Sequence, residues 1–143
     1  MEARGREPDE PGRAARMTFF CPACWSVVSE ADRTCPACGD DLTRLDAEPF
    51  TMKLARALWS PEPLTARRAA FLLGQNGDKG TTAELLRRYD AGADPYLSAE
   101  IAAALGRIGG AEAGAALDRL EGDASVIVRS AVAAARPALS GGS

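Results

Sequence analysis

Two Cys-Pro-Ala-Cys units, Cys21–Cys24 and Cys35–Cys38, constrain this chain more than any other feature, because they hold all of its cysteines. Four soft ligands suit the tetrahedral corners that zinc prefers. With two residues between cysteines, one tight turn aims both sulfurs at a common point, and Pro22 and Pro36 stiffen those turns. The ten intervening residues include Ser26-Val27-Val28-Ser29, an alternating stretch fit for a short strand, and then a polar turn at Glu30-Ala31-Asp32-Arg33. The pattern predicts a hairpin closed around one structural Zn2+ held by Cys21, Cys24, Cys35 and Cys38. The chain has no His, so a zinc site must draw on Cys or carboxylates. Four sulfurs leave no open position for water, which argues against catalysis by the metal. So short a segment has little core, and bound zinc is expected to supply on the order of 10 kcal/mol of its folding free energy.

Residues 17–45 resemble the short zinc ribbons common at the ends of prokaryotic proteins, with two knuckles on one hairpin. In that family a small residue follows the last cysteine so that backbone amides can approach the sulfur, and Gly39 stands there. Trp25 departs from the pattern, standing where the first knuckle usually has glycine. An iron site of rubredoxin type uses the same ligands, but with a much longer loop between knuckles. A redox pair needs a neighbouring strand–helix fold and one exposed, low-pKa thiol, and two matched pairs argue against it.

The remainder of the chain is helical and repetitive, with self-similarity at a period near thirty residues. Residues 63–77, 95–110 and 125–139 are versions of one helix. Leu73-Gly74 falls on Leu105-Gly106 at an offset of 32, and an offset of 30 carries Ile101 to Ala131 and Leu105 to Ala135. Helical stretches at 51–60, 81–92 and 111–122 precede them, making three helix pairs. Thr81 and Glu84 fit a capping box, and Asp94-Pro95 places an N-cap before a proline at the first helical position. Gly77, Gly92, Gly109 and Gly122 follow helix ends, where a left-handed cap favours glycine. Leu97, Ile101, Leu105 and Ile108 form one apolar stripe. No pair can bury its stripe alone, so the pairs must stack.

Ala66-Arg67, Ala69-Ala70 and Leu73-Gly74 resemble bacterial HEAT-like repeats of the type first noted in phycobilisome lyases. Val128-Arg129 recurs at the equivalent place in the third pair. The second pair has Ser98-Ala99 there, and the third has Arg136 where the others have glycine. The resemblance covers about residues 50–139. It implies a mainly α fold, a short α-solenoid of about three HEAT-like helix pairs preceded by the four-cysteine zinc-ribbon β-hairpin. It also implies a scaffold for binding other proteins.

The expected organisation is a disordered tail over 1–16, the ribbon over 17–45, a linker over 46–50, repeats over 51–139 and a disordered tail over 140–143. Met17 is a candidate start of translation, since the residues before it are charged and offer nothing to fold around. The first residues lack the apolar run of a signal peptide, and no stretch is long and apolar enough to span a membrane. The chain is therefore expected to be cytoplasmic, where thiols stay reduced.

Residues 1–48 carry 6 basic and 10 acidic side chains, and residues 49–143 carry 11 and 10. Neither balance is the strongly basic one that dominates nucleic-acid binding, which disfavours that class. The lack of His removes the commonest general base, and no nucleophile elbow or phosphate loop is present. The chain reads as non-enzymatic.

Phe19, Phe20, Trp25 and Phe50 flank the ribbon, and the favoured reading is a small core with a contact onto the first helix pair. The sharper alternative makes Phe19 and Trp25 part of an exposed patch that docks a partner. Arg67 and Arg129 either brace neighbouring repeats or line a face for an acidic partner. The helix over 125–139 is unusually apolar for a terminal element, with Val126, Ile127, Val128, Val132 and Leu139. It is expected to be covered by a partner protein or by a second copy, with Val128 among the contacts. The leading function is an interaction or adaptor module, an accessory subunit included. The alternatives are a nucleic-acid-associated zinc-ribbon factor and a lyase-like or maturation factor.

Overall fold

A computed structural model describes residues 18–141, without the side chains of the last four. The tail expected over 1–16, Met17 and the last two residues lie outside the described part. The chain divides between Asp46 and Ala47 into two compact units.

The first unit is built on very little regular structure. Strand β1 (Phe19–Phe20) pairs antiparallel with β2 (Val27–Val28), Phe19 opposite Val28 and Phe20 opposite Val27. An isolated bridge joins Thr34 to Asp41. Helix α1 (Leu42–Asp46) follows and was not anticipated from the sequence, since five residues show no helical period. It starts because Asp41 accepts from the amides of Thr43 (3.0 Å) and Arg44 (3.2 Å), satisfying donors that a helix start leaves open. It serves to bury Leu45 against Cys21 and Cys35, with Val28 and Leu42 packed around them.

The second unit is the expected stack of three helix pairs: α2 (Phe50–Ala57) with α3 (Pro63–Asn76), α4 (Thr82–Asp90) with α5 (Pro95–Ile108), and α6 (Ala111–Glu121) with α7 (Val126–Gly141). Local chemistry places most boundaries. Glu62 caps α3 by accepting from the Thr65 amide at 2.7 Å, with Pro63 just inside. Asp94 caps α5 through the amides of Tyr96 and Leu97. Gly77 ends α3 in the left-handed region, φ 73°. Two expectations fail. Gly122 has φ −87°, which any residue could adopt. The capping box at Thr81 does not form, because a 3-10 turn (Lys79–Thr81) precedes α4. The Thr81 hydroxyl donates to the Asp78 carbonyl at 2.7 Å, and Glu84 is drawn away to the Trp59 indole N–H (2.7 Å) and to Arg87. Tertiary partners outcompete a local cap.

The second helices α3, α5 and α7 pack directly on one another through small residues. A Cβ on Gly74 of α3 would lie 2.8 Å from the Ala104 Cα of α5. A Cβ on Gly106 of α5 would lie 2.8 Å from the Ala135 Cβ of α7. Glycine inside a helix costs about 0.5–1 kcal/mol against alanine, so its presence at both sites reflects this close approach. Central α5 is consequently buried on two sides, with Ile101, Ala102, Ala104 and Leu105 fully enclosed.

The first helices are joined by polar side chains instead. Arg88 of α4 donates to the Leu58 carbonyl (2.8 Å) and lies over the Trp59 ring. Tyr89 of α4 donates to Asp123 at 2.6 Å, and Arg119 of α6 pairs with Asp90 at 2.5 Å. Arg136, standing where the earlier pairs have glycine, pairs with Asp118 and Glu121 of α6.

Candidate metal centre

The two cysteine turns have the same backbone. The Trp25 amide donates to the Cys21 carbonyl (2.6 Å) as the Gly39 amide donates to the Cys35 carbonyl (2.9 Å). Both residues are left-handed, φ 66° at Trp25 and φ 81° at Gly39. Each turn thus reverses the chain within five residues and points two sulfurs the same way. Nothing lies within 4 Å of a Cβ built on Gly39, so glycine is favoured there by its φ alone. The small residue at Gly39 is not what lets amides near the sulfur: its own amide goes to the Cys35 carbonyl, and it is the Ala37 and Cys38 amides that approach Cys35 Sγ, both at 3.4 Å. Trp25 adopts a conformation costly for a bulky residue. Its ring is half-buried, and the indole N–H is enclosed without a partner among the described residues.

The turns meet so that all four Sγ atoms lie within 4.8 Å of one another. Cys21 and Cys38 are 3.7 Å apart, Cys24 and Cys35 3.6 Å. These separations are far too long for disulfides, whose sulfurs sit about 2.05 Å apart. They match a tetrahedron with metal–sulfur bonds of about 2.3 Å, whose edges are about 3.8 Å. Cys21 and Cys35 are buried, while Cys24 and Cys38 are exposed. The four cysteines are therefore a cluster at metal-binding distance, compatible with a zinc site.

The electrostatics of the cluster are graded. The hydroxyl and then the amide of Ser26 hydrogen-bond Cys24 and pull its thiol down to about 6. The Asp40 amide likewise pulls on Cys38, but desolvation and the sulfurs of Cys21, Cys24 and Cys35 outweigh it and hold that thiol up at about 12. One proton leaves readily and another resists, as expected where four sulfurs crowd together and a cation would have to offset their charge. Ser26 was not singled out in the sequence, although it lies two residues after Cys24 as Asp40 lies two after Cys38. That repeated spacing was the available signal.

The other candidate residues are scattered. Phe19 and Phe20 are 38% and 48% exposed and do not form the small core expected of them. A two-residue strand leaves their rings beside an open depression with Pro22, Val28 and Leu42. Phe50 is also exposed. Arg67 lies over the Tyr96 ring at 5.6 Å, linking α3 to α5, with its Nε enclosed and without a partner among the described residues. Arg129 instead donates to the carbonyls of Asp123 (2.7 Å) and Ala124 (2.9 Å), tying down the loop before its own helix. The two arginines do not line one face in a shared role. Val128 is a correction: it is buried in the repeat core, turned toward the stack, and cannot meet a partner. Val126 and Ile127 of the same helix are exposed.

No helix among the described residues is long and apolar enough to cross a membrane. No curated protein and no solved structure significantly matches the chain. The sequence model of HEAT repeats does match, over residues 50–136 and so over all three helix pairs. With more than half of its length matched and the stacked pairs that such repeats form, the chain belongs to the HEAT-repeat family.

Proposed function

We propose that this chain is a non-enzymatic protein-interaction module whose first unit is held by one structural zinc ion on Cys21, Cys24, Cys35 and Cys38. The observation that carries the metal half is the four-sulfur cluster itself, closed by its own ligands and reached by backbone amides. Thiolates favour zinc among the common divalent ions, and four of them leave no position for a reacting water. A reducing, cytoplasmic setting would keep these thiols free to bind. HEAT repeats in general act as scaffolds, which supports the interaction half. Several polar groups of the stack hold it together: Tyr89 with Asp123, Arg119 with Asp90, Arg136 with Asp118. Phe19, exposed on β1 beside the still more exposed Phe20, gives the first unit an aromatic contact for a partner.

The test is elemental analysis of the reduced, full-length chain, with affinity capture beside it. The expected outcome is one zinc per chain, lost in Cys35→Ser, and a protein partner whose capture survives nuclease treatment. Bound iron, or no metal under reducing conditions, would overturn the zinc assignment. Retention of DNA or RNA on a filter at low salt, with no protein captured, would overturn the interaction reading.

A further inference from the structure

The stack carries three versions of one helix-receiving face, and among the described residues only two are filled. On α5 that face receives α3: Tyr96 lies under Arg67, and Ala104 lies against Gly74. On α7 it receives α5, with Ala135 against Gly106. At the 32-residue offset, Tyr96 and Ala104 correspond to Leu64 and Leu72 of α3, and Glu100 between them corresponds to Arg68. These α3 residues, with Leu54 and Ala57 of α2, line an open groove that no described helix occupies. Leu64 is 63% exposed.

We infer that this groove docks an amphipathic α-helix of a partner protein, one that sets a carboxylate opposite Arg68. The inference rests on the interaction reading above and names the site and the kind of partner. Continuity with the stack argues for a helix, since the same face takes one twice within the chain. Charge argues for the acid. Glu62 at the groove edge is committed to capping α3 through Thr65, whereas Arg68 is exposed and paired with no described residue. A second copy fits poorly. Paired about a twofold axis, it would set Arg68 against Arg68. Stacked end to end, it would bring Arg136 and Leu72 to a contact that glycine and alanine make inside the chain.

The register of α3 on α5 designs the probe. Arg67 meets the position of Leu64 and Gly74 that of Leu72, so residues 70 and 71 of a guest helix come level with Arg68. Of the two Phe71 is the exposed one, and inside the chain its ring already turns to a cation of the receiving helix, Arg107 at 5.1 Å. A lactam-bridged, fluorescein-labelled peptide of residues 62–77 carrying Phe71→Glu, and its counterpart carrying Phe71→Lys, would be titrated with the full-length zinc-loaded protein. The expected result is saturable binding, about tenfold tighter for the Glu peptide, with the preference reversed in Arg68→Glu protein. Absence of binding by both peptides, or binding indifferent to Arg68→Glu, would overturn the inference. So would a dimer in sedimentation that Leu72→Glu disperses, since the occupant would then be a second copy. Capture of a partner at wild-type level by Leu72→Glu protein would remove the groove while leaving the interaction reading in place.

Discussion

Among the described residues, the first unit fully buries Cys21, Cys35 and Leu45, and two of those three are prospective metal ligands. The second unit buries a continuous row of Leu, Ile, Val and Ala from Leu54 to Ala135. With a metal on its four sulfurs, the first unit would be held by a few directed bonds, whereas the second is held by many undirected contacts. Removing apolar area from water yields roughly 25 cal/mol per Å², and a core of three side chains cannot offset the entropy of ordering about 29 residues. The stack repeats one interface twice and needs no such staple. A unit closed by ligands should fail all at once, whereas a packed unit should fail by degrees.

The largest expected effect breaks the comparison directly. Cys35→Ser, or zinc removal by a chelator, should unfold residues 18–46, a loss on the order of 10 kcal/mol of metal-linked folding free energy. Amide resonances of the ribbon should collapse toward random-coil positions while those of α3 and α5 stay put. Collapse of both sets would show that the units fold as one.

Next in size is packing within the stack. Gly106→Ala gains helix propensity of about 0.5–1 kcal/mol, yet its methyl meets Ala135 at 2.8 Å. Overpacking of this kind costs about 1–3 kcal/mol, so thermal unfolding of the stack should move down by several degrees. Zinc content should not change. A rise in melting temperature would mean that the helices separate freely.

A polar latch should matter less and should carry a pH signature. Tyr89→Phe is expected to cost about 1 kcal/mol at neutral pH. The Tyr89 hydroxyl, followed by the Ser125 amide, holds the Asp123 carboxylate below its ordinary range. Burial, then the bond to Asp123, pushes Tyr89 up to about 12. The depressed acid contributes stability above its unfolded pKa that fades as pH falls through the folded one. The raised phenol contributes stability below its unfolded pKa that fades as pH rises toward about 12. Chemical denaturation should therefore show a difference between wild type and variant that is flat around neutrality and shrinks at both extremes. A difference unchanged in acid would locate the effect elsewhere.

The smallest effect tests backbone strain in the metal turn. Gly39→Ala meets no neighbour but must hold φ 81°, at about 1 kcal/mol. Competition with a zinc chelator should show affinity lowered about fivefold and the stack's melting unaltered. Equal affinity would mean that the turn accommodates a side chain without cost.

Features that depend on neighbours in the chain were legible beforehand. The Cys-Pro-Ala-Cys spacing, the three helix pairs and the Asp94 cap all act within a few residues, and the repeat announces its own period. Helix α1 was missed because a single Asp41 cap and one buried Leu45 leave no periodic trace in five residues. The Thr81 cap failed because Glu84 found Trp59, twenty-five residues away in the chain. Val128 looked like a contact because an apolar terminal helix can turn either face outward, and only packing against α5 settles which one.

The sequence by itself determined that four sulfurs could converge and that helix pairs would stack, since ligand spacing and apolar period are local properties of a chain. Tertiary structure alone decided which apolar residues are spent inside. Val128 is buried and Leu64 is not, although nothing in their own segments distinguishes them. Burial is a relation between surfaces. Leu64 lies on the first copy of a face whose later copies are covered by the second helix of the pair before, and no such earlier pair is found among the described residues.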